Sequence, residues 1–232
     1  MRKMIVGAVS LALGAGGAWY WYTNYTQTFS VDSRDTITTW DFQGSHNDDG
    51  PNEQRVMEEI ARLNERLQDD ETEPPDYQLY VGIAGQYTLL GDGKKSFEYL
   101  NKAFAEDPDR TTGLAWRNMG VLMERLGALH SARIAYQQAV DAQPQMEGYH
   151  VELLNFLIAH DSEDRDAILA ALDRAEKEFK TPAFAYLARA QWLEGQGSYG
   201  DAISAWERLK EVSPEGARAD IDEKIARLRS QL

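Results

Sequence analysis

Residues 116–144, which read WRNMGVLMERLGALHSARIAYQQAVDAQP, carry the pattern on which most of the chain is built. Its key positions are Trp116, Gly120, Gly127, Ala132, Tyr136, Ala139 and Pro144. Apolar and small residues recur at helical spacing on both sides of Gly127, and Pro144 ends the second run. This arrangement predicts two antiparallel helices joined by a short glycine turn.

The same pattern occurs four times in the chain. The large residue that opens each first helix is Tyr80, Trp116, His150 and Tyr186, at spacings of 36, 34 and 36 residues. The turn position is Gly91, Gly127, Asp161 and Gly197, and the bulky position of each second helix is Leu100, Tyr136, Leu172 and Trp206. Two helices can approach closely only where one of them offers a small residue to the other's bulky side chain. Copy three departs most, and its turn at residues 160–164 is about two residues longer.

The pattern resembles the tetratricopeptide repeat (TPR). The resemblance covers residues 77–214, with copies at 77–110, 113–146, 147–182 and 183–214. It implies an all-α fold, a right-handed α-solenoid of helical hairpins, and a role in binding other proteins. Amphipathic helices are expected to cap its two ends, at residues 52–68 and at residues 215–232.

The N-terminus is expected to anchor the chain in a membrane. The stretch from residue 4 to residue 22 has no charged residue, and a helix of that length matches one hydrocarbon core. Because Arg2 and Lys3 favour the cytoplasmic side, residues 1–22 form a single-pass anchor that places the repeats on the periplasmic, extracytoplasmic side of a cytoplasmic membrane. The alternative is a signal peptide cleaved after Ala18.

Residues 23–51 form a polar linker without helical periodicity. Its composition favours a flexible tether that holds the repeats away from the bilayer. Trp40 and Phe42 argue for the alternative, in which this segment docks on the repeats or on a partner.

Composition excludes several classes of function. The chain has 232 residues and a formal net charge of −14, so it lacks the basic face that nucleic-acid binding requires. It has no cysteine, which excludes disulfides and thiol chemistry. The four histidines, His46, His130, His150 and His160, have no metal-ligand spacing, and no catalytic or phosphate-binding motif occurs. We therefore expect a protein that is not an enzyme and needs no cofactor, metal or small-molecule substrate. His150 replaces a core aromatic residue, so we expect it to pack in the interior.

The TPR resemblance implies a ligand groove along the first helix of each copy. The residues that map to it are Gln78, Val81, Leu114, Arg117, Asn118, Val121, Glu124, Val151, Asn155, Ile158, Phe184, Leu187 and Gln191. TPR proteins that bind chaperone tails use a cluster of Lys, Arg and Asn, and here only Arg117 and Asn118 lie near matching positions. A partner segment with apolar anchors is therefore favoured over an acidic tail. The alternative is that several of the apolar positions pack between repeats.

Three functions remain open from the sequence. The first is a membrane-anchored scaffold that binds a protein partner during assembly or maturation of an envelope complex. Its architecture is similar to the periplasmic TPR modules of cytochrome c maturation and to an accessory protein of the bacterial secretion channel. The second is a permanent structural subunit of a membrane complex, and the third is a periplasmic holdase chaperone.

Overall fold

The fold is built from helices. In a computed structural model, residues 29–69 and 74–232 are described; the expected membrane span lies outside them. The described helices are α1 (Pro51–Arg66), α2 (Asp76–Leu90), α3 (Gly93–Glu106), α4 (Gly113–Arg125), α5 (Leu129–Ala142), α6 (Glu147–His160), α7 (Arg165–Glu178), α8 (Ala183–Gly195), α9 (Tyr199–Val212) and α10 (Glu215–Arg229). These residues contain no strand beyond an isolated bridge between Asp41 and Asp92, which confirms the all-α prediction.

The described helices form two compact units, which divide within α5 between Ala135 and Tyr136. In the first unit, α2 packs against α1, α3 and α4. In the second unit, α6 packs against α7 and α8, and α9 packs against α8 and α10. Each unit thus contains antiparallel hairpins of the predicted kind.

Three of the predicted turns have a left-handed backbone conformation, which explains why glycine occupies them. Gly91, Gly127 and Gly197 have φ angles of +83°, +73° and +70°, in the left-handed region where a side chain is strained. Copy three has no glycine at this turn, and four residues separate its two helices. There the Asp164 carboxylate accepts a hydrogen bond from the Ala167 N–H at 3.0 Å and caps α7.

The core of the first unit begins at α1. Val56, Ile60 and Leu63 form one buried face of this helix, and they pack with Leu79 and Ile83 of α2. Pro51 starts the helix, where its missing N–H costs nothing. The helix therefore covers an apolar side of α2 that would otherwise face water.

His150 is part of the core of the second unit, as its pattern position predicts. Its side chain is 2% exposed, and its ring meets the Phe179 ring edge-on at 5.2 Å. Nε2 lies 2.8 Å from the Pro144 carbonyl oxygen, so this nitrogen carries the proton and donates it. Burial lowers the pKa of His150 against the opposing effect of that hydrogen bond. The residue therefore acts as a neutral aromatic packing element.

Residues 29–46 form a non-helical strap that lies across the first unit. The Phe29 side chain is buried, and its ring contacts the rings of Phe97 and Trp116 edge-on at 6.3 and 6.0 Å. Trp40 meets the other side of this cluster, with its ring 5.1 Å from that of Phe97. Aromatic pairs of this geometry are worth roughly 0.5–1.5 kcal/mol beyond their buried area.

Backbone hydrogen bonds fix the strap to the turn between α2 and α3. The Gly93 N–H donates to the Trp40 carbonyl at 2.9 Å, and the Phe42 N–H donates to the Gly91 carbonyl at 3.1 Å. The Arg125 guanidinium lies over the Phe42 ring, 5.5 Å from its centre. The interpretation of residues 29–46 as a flexible tether is therefore wrong. Trp40 and Phe42 dock on the chain's own first and second repeats, as the alternative interpretation of this segment predicted.

Asp35 attaches the strap to the start of α5. Its carboxylate accepts hydrogen bonds from the His130 N–H at 3.2 Å, the Ser131 N–H at 2.7 Å and the Ser131 hydroxyl at 2.6 Å. It thereby caps a helix from which it is distant in sequence. Partial burial raises the pKa of this carboxyl, but the hydrogen bonds from Ser131 and His130 outweigh that effect. The pKa of Asp35 consequently lies below its usual value.

The lowered pKa of Asp35 predicts an acid-sensitive strap. The stabilisation is complete above the unfolded pKa of about 4 and is lost as the pH falls through the lower folded pKa. We expect Asp35→Asn to reduce the free energy of unfolding at pH 7 by about 1–2 kcal/mol. The amide offers one acceptor oxygen where the carboxylate offers two, so at least one of the His130 and Ser131 donors loses its partner. The difference from wild type should shrink in urea unfolding below about pH 4. A pH-independent difference would contradict this role of the carboxylate.

Candidate protein-binding surfaces

The expected ligand-facing residues of the first unit differ in exposure. Gln78 is exposed, and Leu114 is 41% exposed although it is apolar. The half-buried members are Arg117, Asn118, Val121 and Glu124. The Arg117 guanidinium donates a hydrogen bond from Nη1 to the Asn118 side-chain oxygen at 3.2 Å. Val81 does not fit the expectation, because its side chain is 5% exposed. The helix that carries it is covered by three neighbours, so Val81 belongs to the core.

In the second unit, more of the residues predicted to face the ligand are apolar than in the first unit. Asn155 and Gln191 are exposed, whereas Val151 and Ile158 are half-buried. Leu187 is 37% exposed on α8 and is the most exposed apolar side chain among the residues predicted to face the ligand in this unit. Phe184 already has partners within the unit, since its ring lies 5.5 Å from that of Phe179 and 6.5 Å from that of His150. It therefore offers less free surface than Leu187.

Sequence reasoning missed a cavity of about 330 Å³ in the second unit, lined by α7, α8 and α9. Its lining includes Arg165, Leu169, Arg189, Leu193, Asp201 and Arg208. The sequence predicted a ligand surface on the first helices, whereas most of these lining residues belong to second helices. Three arginines around one cavity are unexpected in a chain with a net charge of −14.

The arginines of the cavity are held in different ways. Arg189 donates from Nε to the Glu176 carboxylate at 2.7 Å, and Arg208 donates from Nη1 to the other oxygen of that carboxylate at 2.8 Å. Arg165 instead lies over the Trp192 ring, 5.2 Å from its centre. Within residues 29–69 and 74–232, the Arg165 guanidinium makes no hydrogen bond or ion pair. Its five N–H donors are therefore available to a ligand.

The described residues contain neither a metal-binding cluster nor a membrane-crossing helix. In the part of the chain that the structure covers, no three His, Asp or Glu side chains are grouped so as to hold a metal ion. None of the described helices is both long enough and apolar enough to cross a membrane. The expected span at residues 4–22 lies outside the described residues and stays a prediction.

The repeated hairpins and their left-handed glycine turns define a TPR-type helical repeat fold. Two solved structures of MamA, a TPR protein, are similar to it. One has a TM-score of 0.52 at 17% identity and covers 69% of this chain and 89% of that chain. The other has a TM-score of 0.54 at 17% identity and covers 75% of this chain and 91% of that chain. No protein-family model and no curated protein sequence matches the chain.

Proposed function

We propose that the chain is a scaffold that binds a protein partner and is held by residues 4–22 on the extracytoplasmic side of a cytoplasmic membrane. The observation that carries the binding role is the exposure of Leu114 and Leu187 on first helices of a TPR-type fold. Apolar side chains at such positions lose contact with water when a partner segment covers them. The apolar stretch 4–22 and the preceding Arg2 and Lys3 support the membrane location.

The proposed partner is a segment with apolar anchors, bound during assembly or maturation of an envelope complex. The half-buried Arg117 already hydrogen bonds to Asn118, which leaves little of the cationic cluster that an acidic tail would need. The alternative of a permanent structural subunit had drawn support from Trp40 and Phe42. That support is weaker now, because the Trp40 ring packs on Phe97 of the chain's own first repeat and the Phe42 ring packs on Arg125 of its second.

The binding role can be tested by capture of partners on the tagged full chain in mild detergent, followed by mass spectrometry. We expect Leu187→Asp to lower partner recovery about tenfold, since burying an unpaired carboxylate at an apolar contact costs more than 1.4 kcal/mol. Charge reversal in Arg117→Glu should lower recovery less than about threefold, as rim charges contribute little.

Leu187 is partly exposed, so its substitution should leave the melting temperature near that of wild type. The reverse ranking of the two variants would support an acidic ligand instead. Recovery of the whole chain in one stoichiometric complex would support the structural-subunit alternative. Failure to capture any partner would contradict the scaffold role.

A further inference from the structure

In the first unit, residues of the second helices hold the strap. The Gly93 N–H, at the start of α3, donates to the Trp40 carbonyl at 2.9 Å. Phe97, one turn further along, packs between the rings of Phe29 and Trp40. Ser131, near the start of α5, hydrogen bonds through its N–H and hydroxyl to Asp35. This surface of the repeat thus binds an extended segment through an apolar contact and a carboxylate.

The repeat spacing identifies the corresponding residues of the second unit. Second helices of copies one and three are 72 residues apart, as Leu100 and Leu172 show, and copies two and four are 70 residues apart. The positions that correspond to Gly93, Phe97 and Ser131 are therefore Arg165, Leu169 and Asp201. All three line the 330 Å³ cavity. The cavity thus occupies, in copies three and four, the position at which the strap lies in copies one and two.

The chemistry of the cavity shows which segment it fits. Leu169 and Leu193 supply an apolar lining, in place of the Phe97 contact. Arg165 adds a guanidinium where the first unit has only the backbone of Gly93, and Arg208 adds another at the rim. Glu176 holds Arg208 through Nη1 alone, so the remaining N–H groups of Arg208 can still donate. The lining therefore complements an apolar side chain next to a carboxylate.

Asp201 makes the chain's own strap a poor occupant. In the first unit the Asp35 carboxylate meets the N–H and hydroxyl of Ser131, whereas at the corresponding place in the second unit it would meet a second carboxylate. Like charges at hydrogen-bonding distance repel strongly when they are partly desolvated. A strap from another copy is therefore disfavoured, and the occupant must direct its carboxylate to Arg165 and Arg208.

We propose that this cavity binds an extended segment of a partner protein in which a side-chain carboxylate lies beside an aliphatic or aromatic residue. The proposal rests on the scaffold role and adds a specific site to it, separate from the exposed leucines of the first helices. The bound segment would lie against the second unit as the strap lies against the first.

The test is selection of a displayed library of random 12-residue peptides on the full chain in detergent. Peptides that are enriched should carry Asp or Glu next to a Phe, Leu, Ile or Trp. Their affinities are then measured by fluorescence anisotropy with C-terminally amidated peptides, which retain side-chain carboxylates only. A peptide made of residues 29–43 should bind more weakly than the enriched peptides because of Asp201.

Two variants change the cavity in independent ways. We expect Arg165→Glu to weaken the enriched peptides about tenfold or more through loss and reversal of the charge. Ser204 also lines the cavity and is exposed, and Ser204→Trp should have a similar effect by filling the space. The matched control is Lys177→Glu, a charge reversal at an exposed position of the same helix α7, which should leave binding unchanged. Circular dichroism melts of all three variants establish that they are folded.

The proposal is overturned if no peptide is enriched, if the enriched peptides lack carboxylates, or if they bind Arg165→Glu and Ser204→Trp as tightly as wild type. These outcomes are distinct from failure of the scaffold role. A natural partner that is captured equally by wild type and by Arg165→Glu would overturn this site alone, whereas absence of any captured partner would contradict the scaffold role itself.

Discussion

Replacing Gly91 with alanine is expected to destabilise the chain by about 3 kcal/mol, whereas the same replacement at Gly127 should cost only about 1 kcal/mol. Both glycines have left-handed backbone conformations, so each variant pays the strain of a side chain at positive φ. At Gly91 an added Cβ would also lie 2.0 Å from the Phe42 carbonyl oxygen, whereas at Gly127 it would meet no atom within 4 Å. Relief of that clash requires the strap to move, which breaks hydrogen bonds worth about 1 kcal/mol each.

Urea unfolding followed by circular dichroism measures the two costs. Limited trypsin digestion gives a second readout, because Arg34 lies in the strap and should be cleaved faster in Gly91→Ala than in Gly127→Ala. Equal costs together with equal cleavage rates would show that the strap does not rest on the turn between α2 and α3.

Trp116→Ala is expected to have the largest effect on stability, a loss of about 3–5 kcal/mol. The indole is 4% exposed, and its ring centre lies 4.2 Å from that of Phe104 and 6.0 Å from that of Phe29. The Arg110 guanidinium stacks over it at 5.2 Å. Removal of the ring therefore leaves a cavity beneath both the helices and the strap.

The matched control for this substitution is Leu114→Ala, two residues earlier on the same helix. Leu114 is 41% exposed, so its truncation should cost less than about 1 kcal/mol. Both values come from thermal melts analysed with the same heat-capacity change. If Trp116→Ala loses no more free energy of unfolding than Leu114→Ala, the packing of the Trp116 ring against Phe104 and Phe29 does not stabilise the fold.

The hairpins could be predicted because their determinants are local. Gly91, Gly127 and Gly197 each specify a turn through their own backbone, and the small and bulky residues around them recur at helical spacing. The burial of His150 followed from the same pattern. Val81 was assigned to the ligand surface by repeat position alone, and the sequence does not show that α2 has neighbours on several sides.

Trp40 and Phe42 indicated that their segment could dock on the repeats, but the contacts of the strap and the cavity could not be predicted, because they join distant parts of the chain. Asp35 and Ser131 are separated by 96 residues, and neither belongs to a recognisable motif. Polar composition favoured a tether for residues 29–46, although three aromatic side chains, one carboxylate and several backbone hydrogen bonds hold them on the repeats. The correspondence of Arg165, Leu169 and Asp201 to strap-binding residues has meaning only once the strap contacts are known.

The path of the strap determines how the fold would respond to a mechanical load. Phe29 contacts both of the first two repeats, and Asp35 is bound to the second. The backbones of Trp40 and Phe42 are hydrogen bonded to the first repeat, although all four residues precede α1 in the chain. Tension applied from the N-terminal side would therefore act first on these attachment points and would reach α1 only after they had yielded. Helix α1 is thus shielded from pulling forces that would otherwise separate it from α2.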